Sequence, residues 1–156
     1  KSLNANKPSK EYPFHLGCYQ QAAPRQAAAL VHLHSTYAVA LSCLASLDEE
    51  KPLPLITPYY LMRVAPLAIV PYFRPGSARL GEAVAQAARD HDCLLLRNHG
   101  VIALGQTLAE AADRAEELEE TAKLAFLLRG ERLRELTLDE QSDIWRVFRG
   151  SIPSKQ

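Results

Sequence analysis

Leu30-Val31-His32-Leu33-His34-Ser35 places two histidines two residues apart inside an apolar run. Such alternation suits an extended strand, in which residues i and i+2 share a side. The pattern predicts a strand over residues 28–34, with His32 and His34 projecting together and Val31 and Leu33 turned the other way into a core. Two imidazoles aimed at one point form half of a divalent-metal site of the kind zinc occupies. A strand whose polar face merely carries two histidines has the same pattern, so a third ligand has to separate the two readings.

The residues on either side give the fold class. Residues 35–47 are rich in Ala, Leu and Val. Ser35 or Thr36 can cap their start, and Tyr37, Leu41 and Leu44 recur at helical spacing. The histidines therefore sit where a strand hands over to a helix. Upstream, residues 1–9 are polar and read as a loop. Pro13 favours a short amphipathic helix over 12–19, and residues 22–25 read as a second loop. Downstream, Pro52, Pro54 and Pro58 mark a connector, residues 59–64 suit a turn or two of helix, and residues 68–70 suit a short strand. Pro71-Tyr72-Phe73-Arg74-Pro75-Gly76 is a stiff loop, after which Ser77 caps a helix over 78–89 with Leu80, Val84 and Ala87 inward.

Cys93-Leu94-Leu95-Leu96 is continuously apolar, as in a strand covered on both faces. Asn98-His99-Gly100 interrupts it, and Val101-Ile102-Ala103-Leu104 resumes as strand. A long helix follows over 107–128. Leu108, Ala111, Ala115, Leu118, Ala122 and Ala125 face inward, and Glu110, Asp113, Arg114, Glu116 and Lys123 form a solvated face. Thr137 opens a last helix running to residue 149. Strands alternate with helices, which defines an α/β domain spanning residues 1–156.

The bulk properties exclude several function classes. Eighteen basic residues balance eighteen acidic ones, so no basic face points to a nucleic-acid partner. The apolar runs are too short to cross a bilayer. Cys18, Cys43 and Cys93 are odd in number and scattered, which argues against a disulfide framework and for a reducing, cytoplasmic setting. Each is expected to be a small buried apolar residue. The chain opens on Lys1 rather than Met, and the expectation is a piece of a longer protein.

His99 lies between two apolar strands, ahead of a glycine that permits tight backbone geometry. Joined to His32 and His34, it would complete a three-histidine set, and a catalytic zinc needs three protein ligands and one open position. Alone, it would be a turn histidine with a structural hydrogen bond. His15 and His91 have no such context. Glu11 is either a surface carboxylate or, beside a metal, an acid/base or an additional ligand.

Lys7-Pro8-Ser9-Lys10-Glu11, His32-Leu33-His34-Ser35 and Asn98-His99-Gly100, in this order and followed by a long Ala- and Glu-rich helix, resemble the class II aldolase/adducin family over nearly the whole chain. The resemblance implies a single domain with a central, mainly antiparallel β-sheet flanked by helices, its N-terminal part missing from this chain. It implies one Zn2+ per subunit on His32, His34 and His99, with Glu11 as acid/base. Ser9, helped by Lys10, would hold a substrate phosphate, together with residues that the family carries upstream of this point. It also implies a homotetramer with sites between neighbouring subunits. The adducin branch keeps the fold and lacks the metal histidines, so retention of all three favours an enzyme over an interaction module.

Pro71-Tyr72-Phe73-Arg74-Pro75-Gly76 and His32-Leu33-His34-Ser35-Thr36 are most similar to the family's 3-oxo-tetronate 4-phosphate decarboxylases. Its sugar-phosphate aldolases and pentulose-phosphate 4-epimerases are the rivals. The implied reaction is metal-assisted loss of carbon dioxide from a phosphorylated sugar acid, through an enediolate, to dihydroxyacetone phosphate. Tyr72 or Arg74 would meet the substrate carboxylate. The alternative is that the two belong to a rigid loop, with a packed aromatic and a solvated cation.

Overall fold

The computed structural model describes residues 7–22 and 27–148. Its elements are α1 (Tyr12–Ala22), β1 (Ala29–Leu33), α2 (Thr36–Ser42), α3 (Pro58–Arg63), β2 (Leu67–Val70), α4 (Ala78–Ala87), β3 (Cys93–Leu96), β4 (Gly100–Gly105), α5 (Leu108–Leu127) and α6 (Leu138–Phe148). The strands form one sheet in the order β1-β4-β3-β2. β4 pairs antiparallel with both β1 and β3, while β2 runs parallel to β3. Antiparallel pairings thus predominate, with one parallel edge.

Side-chain alternation divides the core between the two faces of the sheet. Leu94, Leu96, Ile102 and Leu104 join Leu30 under α1 and α4, which contribute Phe14, Cys18, Leu80 and Val84. Cys93, Leu95, Val101 and Ala103 face the other way, onto Ala38 and Leu41 of α2, Leu61 of α3 and Ala115, Leu118 and Ala122 of α5. β3 and β4 are buried along their whole length, as expected of strands covered on both sides. His32 is two residues beyond Leu30 and so shares the α1 face, where the edge of the Phe14 ring meets it with centroids 5.2 Å apart.

Ser77 caps α4 as read, accepting from Leu80 N–H, and Thr107 caps α5, accepting from Glu110 N–H. Thr137 and Glu140 form a reciprocal capping box at the start of α6, and residue 149, its expected end, lies outside the described residues. Residues 23–25 of the expected second loop also lie outside them.

Several expectations fail for identifiable reasons. β1 ends at Leu33, which is 45 % exposed and not in the core, because the sheet stops there. α2 ends at Ser42 rather than at residue 47, where outside donors take the last carbonyls: Asn98 N–H bonds Ser42 O and Arg97 bonds Leu44 O. Helix α1 runs to Ala22 rather than to residue 19, burying Ala22 with Phe14 and Cys18, and Gly17 within it sits against α4, where a Cβ would come 3.0 Å from that of Ala85. Leu108 opens α5 facing solvent, 66 % exposed. Arg114 is not solvated; it pairs with Asp92 and Glu110 at 3.2 and 2.8 Å and donates to Leu104 O. Cys43 is exposed, whereas Cys18 and Cys93 are buried.

Candidate metal centre

Three separate parts of the chain converge at the end of the sheet. Glu11 precedes α1 in a turn closed by Tyr12 N–H to Ser9 O at 3.1 Å, with Ser9 Oγ accepting Glu11 N–H at 3.2 Å. His32 belongs to β1, and His34 follows it before α2. His99 lies in the turn between β3 and β4. Asn98, with φ of 55°, makes that turn possible. Asn is one of the few residues that enter this left-handed region readily.

Glu11 Oε1 lies 3.2 Å from His99 Nε2, and Glu11 Oε2 lies 3.5 Å from His32 Nε2. His34 Nε2 is 3.1 Å from His32 Nε2. The three imidazole centroids form a nearly equilateral triangle with sides of 4.9, 5.1 and 4.9 Å. One donor atom from each of the four residues lies within 4.8 Å of every other. The His-x-His pair and the distant His99 therefore meet, as a three-histidine set requires.

The donor chemistry fits a divalent cation. His32 Nδ1 lies 2.8 Å from Val101 O; assigned as the donor there, it leaves the Nε2 lone pair facing the cluster. Such an outer hydrogen bond is the usual way a ligand histidine is oriented. His99 Nδ1 is buried with no hydrogen-bond partner among the described residues. Burial pushes the pKa of His32 and of His99 below the ordinary histidine value, although Glu11 pulls both back up. Neutral imidazoles are what metal ligation requires. Burial also lowers His15, which stacks on Phe14 with centroids 4.7 Å apart.

The remaining candidate residues lie further out. Lys10 is exposed, and its positive charge helps to lower His99. Its backbone packs on Gly76, whose φ is +75° and whose added Cβ would come 3.3 Å from Lys10 O. This contact brings the Tyr72–Arg74 loop beside the Glu11 turn. Tyr72 is 59 % exposed, and Arg74 is exposed, reaching only Pro75 O at 3.5 Å. Among the described residues no hydrogen bond or ring contact joins either to the four donors, while Phe73 between them packs into the α1/α4 cluster. Sequence reasoning missed the Val101 carbonyl behind His32, and it missed Glu119, whose carboxylate accepts Tyr37 N–H and Ala38 N–H at the start of α2. The available signal for Glu119 was its place four residues after the inward-facing Ala115.

The chain belongs to the class II aldolase and adducin family: the Class II Aldolase and Adducin N-terminal domain matches residues 1–126. Among curated relatives, the 3-oxo-tetronate 4-phosphate decarboxylase of Haemophilus influenzae is 48% identical over 142 residues, covering 91% of this chain and 67% of that protein. The enzyme of the same description from Escherichia coli K12 is 46% identical over the same length and share of this chain, and covers 66% of the relative. The L-fuculose phosphate aldolase of Methanococcus maripaludis is 38% identical over 130 residues, covering 81% of this chain and 67% of that protein. The chain spans about two thirds of the length of the curated relatives it matches. Of solved structures, YgbL of Klebsiella pneumoniae superposes with a TM-score of 0.85 at 44% identity, over 91% of this chain and 68% of that one. An L-fuculose 1-phosphate aldolase superposes with a TM-score of 0.79 at 28% identity, over 94% and 66%.

Proposed function

We propose that this chain is the metal-bearing domain of a zinc-dependent lyase. It would remove carbon dioxide from 3-oxo-tetronate 4-phosphate and leave dihydroxyacetone phosphate. The observation that carries the reading is the convergence of Glu11, His32, His34 and His99 on one point. The 46–48% identity to curated decarboxylases supports this choice of substrate.

His32, His34 and His99 would hold the zinc, which when bound supplies Lewis acidity at the substrate's ketone and adjacent hydroxyl oxygens. Departure of carbon dioxide leaves an electron pair on the carbon beside the ketone, and Glu11 delivers the proton to that carbon. Its carboxylate lies between His32 and His99 at 3.5 and 3.2 Å, which supports that role. Ser9 Oγ accepts Glu11 N–H and so keeps its own O–H to donate to the substrate phosphate, with Lys10 adding positive charge. Arg74 and Tyr72, exposed on the neighbouring loop, meet the substrate carboxylate across a subunit boundary of a homotetramer. Three free cysteines support a cytoplasmic setting, and no helix among the described residues is long and apolar enough to cross a membrane.

The similarity to L-fuculose phosphate aldolases favours a second reading, in which the bond broken leads to an aldehyde carbon. The test is to give the full-length zinc-loaded protein 3-oxo-tetronate 4-phosphate and L-fuculose 1-phosphate separately. Carbon dioxide and dihydroxyacetone phosphate from the first substrate support the decarboxylase. Aldehyde release from the second alone selects the aldolase, and a protein that takes up no metal refutes both.

A further inference from the structure

Helix α2 connects two of the converging segments, and each of its ends is tied to a group outside it. At its start, Tyr37 N–H bonds Glu119 Oε1 at 2.9 Å and Ala38 N–H bonds Glu119 Oε2 at 2.8 Å. These are the second and third residues of the helix, whose N–H groups an N-cap side chain ordinarily satisfies. Ser35 holds the N-cap position but makes no such bond, and its Oγ is buried with no hydrogen-bond partner among the described residues. The cap comes instead from α5, 81 to 82 residues further along the chain. At the other end, Asn98 N–H bonds Ser42 O at 3.2 Å and Arg97 Nη1 bonds Leu44 O at 3.0 Å. His34 is two residues before the helix, and His99 directly follows the Arg97-Asn98 pair.

The geometry points to Glu119 as a positioning residue for the metal centre. Its carboxylate fixes α2 against α5, and α2 in turn fixes the separation between the His34 segment and the His99 turn. This inference rests on the reading of His32, His34 and His99 as ligands. A carboxylate suits the task because both its oxygens accept, the bonds are charge-assisted, and they lie at the positive end of the helix dipole. Glu119→Gln would remove the charge and turn one acceptor into a donor facing an N–H. Glu119→Ala would leave two backbone N–H groups to water and release α2 from α5.

The test uses metal-free full-length protein as wild type, Glu119→Gln, Glu119→Ala and Glu120→Ala. Glu120 is an exposed neighbour paired with Lys123 at 3.5 Å and serves as the control. Each protein is titrated with Co2+ at a temperature where circular dichroism shows it folded, and the visible absorption bands report coordination. Groups bonded directly to a ligand change metal affinity by about 10- to 100-fold; Glu119 acts through the backbone of α2, and a loss at the lower end of that range, about tenfold, is the expected size. Both Glu119 variants are expected to show that loss and an altered Co2+ spectrum, with Glu120→Ala unchanged. Should Glu119→Ala not fold, Glu119→Gln alone decides. Wild-type affinity and spectrum in the folded Glu119 variants, whatever their melting temperature, would overturn the inference and reduce Glu119 to a stability role. A wild-type chain that takes up no Co2+ overturns the metal reading itself, which is a distinguishable result.

Discussion

Gly100 opens β4 directly after His99, and Gly100→Ala separates two explanations for a glycine there. Its φ lies outside the left-handed region that Gly76 and Gly130 occupy, so backbone freedom is not the reason. The reason is space. A Cβ on residue 100 would come 2.4 Å from Leu33 O and 2.8 Å from His34 Cδ2, whereas ordinary contact begins at 3.4 Å. The carbonyl cannot rotate away without breaking the register in which Leu33 faces Val101. The end of β1, with His34, must therefore move by about 1 Å, a typical cost of overpacking being about 1–3 kcal/mol. At ~2–4 °C per kcal/mol for a chain of this size, the melting temperature should fall by about 2–12 °C. Metal sites hold ligand distances to within about 0.2 Å, so a shift of about 1 Å misplaces His34 as a ligand. Zinc affinity, measured by competition with a chelator, should drop by about tenfold or more, the loss that follows when a ligand is no longer correctly oriented. Gly130→Ala is the counterpart: φ is +89° and nothing lies within 4 Å of an added Cβ. It should cost about 1–2 kcal/mol of left-handed strain and leave zinc affinity alone. Wild-type zinc affinity in Gly100→Ala, or an equal loss in both variants, refutes the steric account.

Removal of one ligand, as in His99→Ala, should abolish stoichiometric zinc uptake and turnover together; turnover that survives metal loss would reject the lyase reading. Arg74→Ala should raise KM for the carboxylate-bearing substrate by about 10- to 150-fold, as expected for one lost charge-assisted contact of about 1.5–3 kcal/mol, and unchanged KM and kcat would dismiss its carboxylate role. The metal-free protein should lose stability on the acid side. His32 and His99 have folded pKa values lowered by burial, so as pH falls through the unfolded value of about 6.5 the unfolded chain binds these protons first. Stability is then full above that pH and declines from there down to the depressed folded values. Thermal melts between about pH 7.5 and 5.5 should show that decline, with a shallower slope for His99→Ala. A melting temperature that rises toward acid would contradict it.

The parts of this fold legible in the sequence are those that depend on short-range patterns. Cys93-Leu94-Leu95-Leu96 reads as a two-sided strand because all four residues are apolar, and all four are buried. Ser77 reads as a cap because its hydroxyl serves an N–H group three residues away. What was not legible depends on partners distant in sequence. Ser35 has the right residue type for a cap, yet Glu119 takes its donors from across the molecule. Leu33 fits the alternation of β1, yet as the strand's last residue, paired with Val101 at the end of the sheet, it is left exposed. Arg114 resembles any exposed helical arginine until Asp92 and Leu104 arrive beside it. The three histidines bridge both cases. His32 and His34 announce themselves by spacing alone, but only the β1–β4 pairing explains why His99 joins them. Gly100 stands at the centre of that explanation, since its missing side chain lets the Leu33 carbonyl and the His34 ring close on the turn. The same pairing supplies Val101, opposite Leu33, whose carbonyl orients His32. The convergence of the histidines is thus a consequence of strand register, and a shift of β1 against β4 by one residue would turn His32 to the other face of the sheet and away from His99.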